Sequence, residues 1–246
     1  MNNLNYLNIY TTDPAFNLAA EQYVFENLPK DRMYFMLWQN DNAIIIGKYQ
    51  NTLAEINEKN VLENGMKVVR RLSGGGAVYH DLGNLNFTFI ADAGELEELN
   101  MRVFCQPIVK ALAKIGITAE INGRNDITID GRKFSGNAQY MRSGRIMHHG
   151  TIMFDSNLEM VQKALNVDPS KIESKGKKSV RSRVTNIREY LREDYTQALE
   201  FHHMAYTAII AYYWFVWAMY RKSCGALVDK ALQSWLEMAV KYSDYE

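Results

Sequence analysis

Cysteine is almost absent from this chain: Cys105 and Cys224 are the only two in 246 residues, and they lie far apart. That spacing makes neither a disulfide framework nor a pair of metal ligands, and it suits a reducing compartment. A net charge is lacking too. Lys+Arg and Asp+Glu balance at 28 each, so no overall field draws the chain to nucleic acid or to a membrane surface. Neither an internal repeat nor a low-complexity tract occurs. The opening Met1-Asn2-Asn3-Leu4-Asn5 has no basic region and no apolar region of a secretory leader, so a cytoplasmic setting is expected. What is present is 47% hydrophobic content over a length that can bury a full core, which predicts one large domain.

Glycine is concentrated where it has chemical meaning. Ser73-Gly74-Gly75-Gly76 offers backbone N–H groups with no Cβ in the way, a geometry suited to phosphate or carboxylate oxygens. Val68-Val69-Arg70-Arg71 before it reads as a strand end. Leu85-Asn86-Phe87-Thr88-Phe89-Ile90 after it alternates apolar and polar, so a second strand follows. The P-loop and the dinucleotide fingerprint both need glycines that open a helix, and this pattern excludes them. A strand, glycine loop and strand framed by Arg70 and Arg71 point to a nucleotide site of another kind.

Asp13-Pro14 predicts an N-cap with a first-turn proline, and Ala15–Leu28 follows with helical spacing. Strands are expected at Tyr34–Trp38 and Ala43–Gly47, a helix over Leu53–Asn64 closed by Gly65, and another over Leu99–Ile115 closed by Gly116. Short strands over Ile117–Ile121, Ile127–Ile129, Arg132–Tyr140 and Arg145–Phe154 follow, with turns at Asp130-Gly131 and Ser143-Gly144. Leu158–Leu165 reads as a short helix, 168–183 as a polar basic loop, and Thr185–Arg192, Gln197–Arg221 and Gly225–Tyr242 as helical. The class is α+β, a mixed or antiparallel central sheet flanked by helices.

Lys133 falls just past the Asp130-Gly131 turn, near the glycine loop if the sheet is compact. A lysine ammonium is a compact cation that bridges a phosphate and a carboxylate. Adenylate formation needs such a group, because charge develops on the α-phosphate and the attacking carboxylate oxygen together. The plain alternative is a solvated lysine beside a turn.

Four ordered segments carry a family resemblance: 70–87 (Arg70 to Phe87, around the glycines), Gly123-Arg124-Asn125-Asp126, Lys133-Phe134-Ser135-Gly136-Asn137-Ala138, and His148-His149-Gly150-Thr151. Together they resemble the signature of the lipoate–protein ligases. Ser174 to Val184 is similar to that family's basic loop, and the resemblance runs from about Asn17 to about Leu191. It implies a fold related to the biotin ligases and the class II aminoacyl-tRNA synthetases. It also implies a two-step reaction in which lipoate and ATP form lipoyl-adenylate, whose lipoyl group passes to a lysine of an acceptor domain. The implied ATP and adenylate contacts are Arg71, Gly75, Gly76, Ala77, Val78, Tyr79 and Ala138, largely through backbone groups. Lys133 would touch both the phosphate and the lipoyl carbonyl, with Asp126 as a magnesium ligand or adenylate-side partner. Ser73, His149 and Thr151 would line the lipoate end; for His149 the alternative is a hydrogen-bonded core histidine. Ile44-Ile45-Ile46-Gly47, Val78 and Met147 could wall the apolar tunnel or simply pack the core. The implied ligands are ATP with Mg2+ and lipoic acid. The implied partners are the lipoyl domains of 2-oxoacid dehydrogenase complexes, the glycine cleavage H protein and a small accessory ligase domain, with no nucleic acid and no membrane.

Lys175, Lys178, Arg181 and Arg183 in the basic loop have more than one reading. They form a solvated surface, close over the adenylate as cations, or steer acidic acceptor domains. Full-length members of the family commonly carry a smaller C-terminal domain, and this chain stops near where that domain would begin. We therefore expect a catalytic domain over 1–195 and an atypical helical segment over 196–246. Within it, 204–220 is uncharged and apolar all round, which suits a core or partner-facing helix and just reaches the lower limit for a membrane span. Two competing functions are a transferase of the same fold, working without ATP through an acyl-cysteine, and a non-catalytic binder of lipoate or adenylate.

Overall fold

The computed structural model describes residues 4–93, 101–123, 125–165 and 184–191. In chain order the elements are β1 (Leu4–Asn8), α1 (Pro14–Asn27), β2 (Met33–Trp38), β3 (Ala43–Ile46), α2 (Thr52–Glu55), α3 (Glu58–Glu63), β4 (Lys67–Arg70), β5 (Val78–His80) and β6 (Asn84–Asp92). They continue with α4 (Met101–Lys114), β7 (Glu120–Asn122), β8 (Asp126–Ile129), β9 (Arg132–Arg142), β10 (Arg145–Met153), α5 (Leu158–Ala164) and a 3-10 helix at Ile187–Tyr190. A seven-stranded sheet has the order β1-β2-β6-β10-β9-β8-β7, and a three-stranded sheet has the order β4-β3-β5. In the large sheet β1 runs parallel to β2 and every other pair is antiparallel. In the small one β3 is parallel to β4 and antiparallel to β5. The class is α+β, a mixed sheet flanked by helices.

Alternation along β2, β6 and β10 decides which face does what. One face sends Phe35, Leu85, Phe87, Phe89 and Ile146 against Phe104, Ile108 and Leu112 of α4, an apolar core that also takes in the His148 ring. The other sends Tyr34, Met36, Trp38, Ile90 and Met147 against Leu18, Val24 and Phe25 of α1 and against Ala43 and Ile45 of β3. Asn86, Thr88, His149 and Thr151 share this second face, because residues two apart on a strand point the same way. Polar groups are thus interleaved with apolar ones mainly on the side roofed by α1 and the small sheet. Ile44 and Ile46 point away from it, into a third cluster with Ile56, Met66 and Ala164.

The local signals explain most boundaries. Asp13 caps α1 by accepting from Phe16 N at 2.9 Å, with Pro14 at the first turn. Asp130 and Gly131 have φ of 50° and 72°, and Ser143 and Gly144 have 52° and 71°, so both hairpins turn through left-handed pairs. The expected helix over Leu53–Asn64 is instead two short helices. Ile56 is pinned by a β-bridge to Leu165, and Asn57 caps α3 through Asn60 N at 3.2 Å. The strand expected from Ile117 begins only at Glu120, and the helix expected from Thr185 is a single 3-10 segment. The basic loop and the helices expected over Gln197–Arg221 and Gly225–Tyr242 lie outside the described residues.

Candidate active site

The glycine loop crosses from β4 to β5 and lies against the end of β3. Gly75 has φ of 95°, a conformation glycine adopts without penalty. A Cβ on Gly47 would stand 2.1 Å from the Gly75 carbonyl oxygen, so the loop can approach β3 only because residue 47 has no side chain. Lys48 N donates to Ser73 O at 2.8 Å and Arg71 N to Ile46 O at 3.0 Å, which stitches the two segments together. The Arg71 guanidinium then shapes the loop from inside. Its NH2 group donates to the carbonyls of Gly74 (2.8 Å) and Gly76 (2.7 Å), its NH1 to Ile45 O (3.0 Å) and its Nε to Ser73 Oγ (3.0 Å). Burial pulls its pKa down to about 10, opposed by the Glu21 charge, which leaves it a cation at neutral pH. Arg70 organises the loop after β3, donating to the carbonyls of Gly47, Lys48 and Gln50 and to Thr52 Oγ1.

Beneath the loop runs a buried chain of polar contacts. Trp38 Nε1 donates to Thr88 Oγ1 at 2.9 Å, and Thr88 Oγ1 donates to Glu21 Oε1 at 2.6 Å. The same carboxylate oxygen meets His149 Nδ1 at 2.8 Å, and His149 Nε2 meets Ser73 Oγ at 2.6 Å. Glu21 is only 1% exposed, on a helix whose other buried residues are apolar except for Asn17. Its carboxylate is compensated by hydrogen bonds from the sheet, as a buried charge must be.

Lys133 stands at the mouth. Its Nζ pairs with Asp126 Oδ1 at 2.7 Å, both side chains being more than a third exposed. Gly136 beneath it donates its N–H to Thr151 Oγ1 at 3.2 Å. Asn137 and Asn125 exchange amide-to-carbonyl bonds of 3.1 and 3.0 Å, which fastens Asn125, just before β8, to β9. Gln139 Nε2 donates to Nδ1 of His148, whose Nε2 therefore carries the hydrogen that faces Asn137 Oδ1. Burial, and secondarily His149, pushes the His148 pKa down to about 3. His148 belongs to the apolar face and stacks 4.8 Å from Phe104, while its neighbour His149 faces the cleft.

These parts enclose a cleft of about 160 Å³. Of the sequence-predicted residues, Arg71, Gly75, Gly76, Ala77, Val78, Lys133, Ala138, His149 and Thr151 line it. Ser73 sits behind the wall, held by Arg71 and His149. Asp126 flanks the mouth through Lys133, and the Tyr79 ring points to the third cluster, its hydroxyl on Asn42. Ile45 and Val78 reach the cleft, whereas Met147 packs in the core behind it. Lys175, Lys178, Arg181 and Arg183 lie outside the described residues. Sequence reasoning had no role for Leu18, Trp38, His80 and Asn86, which also line the cleft, or for Glu21 beneath it. For Asn86 the available signal was the alternation of Asn84, Asn86 and Thr88 along β6, which reads equally well as a solvated face.

Chemically the arrangement offers a cation and open backbone at one end and an apolar channel behind. Among the described residues no three His, Cys, Asp or Glu groups gather to hold a metal. Asp126 alone suits an ion carried largely by substrate phosphates and water, as Mg2+ usually is. Cys105 is buried on α4 in the apolar core, and burial pushes its thiol up to about 12, so it supplies no thiolate to the cleft. No helix among the described residues is long and apolar enough to cross a membrane.

Fold and site together define an α+β domain with a cleft that opens on a lysine and a glycine loop. The family model of the lipoyl protein ligase A/B catalytic domain matches residues 13–205, and the chain belongs to that family. Lipoate-protein ligase LplJ of Bacillus subtilis is 55% identical over 184 residues, covering 75% of this chain and 56% of that protein. Lipoate–protein ligase 1 of Staphylococcus aureus is 51% identical over 182 residues, covering 74% and 56%. The chain thus spans about half the length of these curated relatives. Among solved structures, a chain of the Thermoplasma acidophilum lipoylation system, described as a bi-partite lipoate protein ligase and its E2 lipoyl domain, aligns with a TM-score of 0.71 at 27% identity, covering 85% of this chain and 80% of that one. LipL1 of P. falciparum in complex with lipoate aligns with the same score and identity, covering 89% and 62%.

Proposed function

We propose that this chain is the catalytic part of an ATP-dependent lipoate–protein ligase, with residues 1–195 as its catalytic domain. The observation that carries the reading is the position of Lys133, whose Nζ sits beside Asp126 and over Gly136 at the mouth of an apolar cleft roofed by the glycine loop. In the first step a lipoate carboxylate oxygen attacks the α-phosphorus of ATP, the bond to the β-phosphate oxygen breaks, and pyrophosphate leaves. Lys133 stabilises the charge shared by the carboxylate and the α-phosphate as it builds. The loop N–H groups around Gly75 and Gly76 bind phosphate oxygens, and Arg71 keeps that loop open from within. Asp126 holds the lysine in place and is the residue best able to touch Mg2+, which supplies charge neutralisation on the phosphates. In the second step an acceptor lysine amine attacks the lipoyl carbonyl, an amide forms, AMP departs and the amine loses its proton to solvent.

The acceptors are lipoyl domains, those of 2-oxoacid dehydrogenase complexes and of the glycine cleavage H protein, and the setting is cytoplasmic. Transfer is completed with a small accessory ligase domain protein. Incubating the purified chain with lipoate and ATP and measuring pyrophosphate release tests the reading. Release that depends on both ligands is the expected result, and none with either order of addition would sink it.

A further inference from the structure

Glu21 is buried and ionisable, and neither step of the reaction uses it. Its neighbours give every hydrogen around it a direction. Trp38 Nε1 can only donate, so Thr88 Oγ1 accepts at 2.9 Å and turns its own hydrogen to Glu21 Oε1 at 2.6 Å. At the other end of the line Arg71 Nε can only donate, so Ser73 Oγ accepts at 3.0 Å and keeps its hydrogen to give. His149 stands between, with Nδ1 at 2.8 Å from Glu21 Oε1 and Nε2 at 2.6 Å from Ser73 Oγ. A carboxylate accepts, so Nδ1 carries the ring hydrogen and Nε2 takes that of Ser73. Hydrogens thus run toward Glu21 from both sides, and its carboxylate is where the line ends.

The other tautomer would break this order. A hydrogen on His149 Nε2 would point at a Ser73 oxygen that already holds the Arg71 Nε–H. The Ser73 hydrogen would then turn to the Gly74 carbonyl, 3.5 Å away, which is one of the two loop carbonyls that the Arg71 NH2 group gathers. The grip of Arg71 on the loop therefore depends on the His149 tautomer, and the tautomer depends on Glu21. Charge works in the same direction. Glu21 is the anion that opposes the loss of the Arg71 charge on burial. His80, which lines the same cleft, adds no second cation, because burial, with Arg71 and His149 nearby, holds it neutral at a pKa of about 3.

We propose that Glu21 is a positioning residue for the nucleotide loop: it fixes the His149 tautomer, and through Ser73 and Arg71 it holds the loop carbonyls back so that the loop N–H groups face ATP. The inference rests on the ligase reading for the identity of that ligand. Glu21 lies beneath the cleft rather than in its wall, so it acts on the ligand only through these neighbours. Losing the bond that sets the order of the line should weaken ATP binding by about tenfold.

Nitrogen-15 spectra of the histidine-labelled whole chain at about pH 8, where an ordinary histidine is neutral, read the tautomer directly. A hydrogen on His149 Nδ1 and a bare Nε2 is the expected result. A hydrogen on Nε2 would overturn the proposal, and that arm needs no variant to fold. Calorimetric titration with ATP, without lipoate, reads the consequence. Glu21→Leu roughly keeps the volume and removes the acceptor, so it should release the ring from the Nδ1–H tautomer and weaken ATP binding about tenfold. Glu21→Gln keeps an acceptor oxygen, so it should restore the tautomer and bring ATP affinity to within about threefold of the unmodified chain. A folded leucine variant that binds ATP as tightly as the unmodified chain would overturn the proposal, and so would a glutamine variant no better than the leucine one. Should the leucine variant not fold, Ser73→Ala cuts the same line one bond further on, and unchanged ATP affinity there overturns the proposal as well. If the unmodified chain binds no ATP, the ligase reading itself fails, and this role of Glu21 with it.

Discussion

Gly136 leaves the space that the Lys133 ammonium occupies: a Cβ at 136 would stand 2.9 Å from Nζ and 3.0 Å from Cε. The obstruction is the far end of a flexible side chain, so Gly136→Ala should fold with a stability change within about 1 kcal/mol. It should swing Lys133 away from the mouth and cut adenylate formation by roughly tenfold to a hundredfold. Thermal melts and pyrophosphate release measured on the same preparation check this, and unchanged activity would show that the lysine need not lie over Gly136.

Lys133→Ala tests the cation itself. Its ion pair with Asp126 is more than a third exposed, so its loss should cost little stability. Losing a cation that acts in the transition state commonly costs about 3 kcal/mol, roughly a hundredfold in rate. Lipoyl-adenylate made at a near wild-type rate would remove Lys133 from the mechanism.

Gly75→Val should weaken ATP binding more than lipoate binding. A β-branched residue at φ of 95° is strained, by about 1–3 kcal/mol, and its methyls crowd the face offered to phosphate. Calorimetry with each ligand separates this from a general collapse, in which both affinities and the melting temperature would fall together.

His80 and His148 both have pKa values near 3 in the folded chain, against an ordinary value of 6.5. Between those limits the unfolded chain holds the extra protons. Their contribution to stability is therefore complete above pH 6.5 and is lost as pH falls toward 3, at up to about 1.4 kcal/mol per pH unit for each ring. Urea titrations from pH 7 to pH 4 should show this slope, and His148→Gln should remove about half of it.

Cys105→Ala should leave adenylate formation unchanged, since the thiol lies in the apolar core on the other side of the large sheet from the cleft. The change should lower stability by about 1 kcal/mol through the small void. A thioester trapped on Cys105 by mass spectrometry would reverse this expectation.

Chain-local features were legible before any coordinates. The glycine loop between strands, the left-handed Asp130-Gly131 and Ser143-Gly144 turns and the capped α1 each depend on a few adjacent residues. The partners of Glu21 were not legible, because it meets Thr88 and His149 only once α1 lies across the sheet. His80 and Asn86 are similar, since their place in the cleft depends on the register of β2, β6 and β10. Arg71 lines the cleft beside the glycines, but its bonds to Ile45, Ser73, Gly74 and Gly76, which use all three of its nitrogens, were legible only from the folded loop. The single helix expected over Leu53–Asn64 failed because a distant contact, Ile56 with Leu165, outweighed local propensity.

The Ser73 hydroxyl, wedged between the Arg71 guanidinium and the His149 ring, ties the two halves of the cleft into one mechanical piece. Any attempt to widen the acyl channel at His149 for a bulkier, unnatural acid will slacken the loop carbonyls that Arg71 gathers, so a gain in acyl tolerance should arrive with a poorer nucleotide site. Variants chosen only for growth on such an acid should accordingly accumulate second changes around Gly47 and residues 71–76, restoring the grip on the loop rather than touching the new ligand.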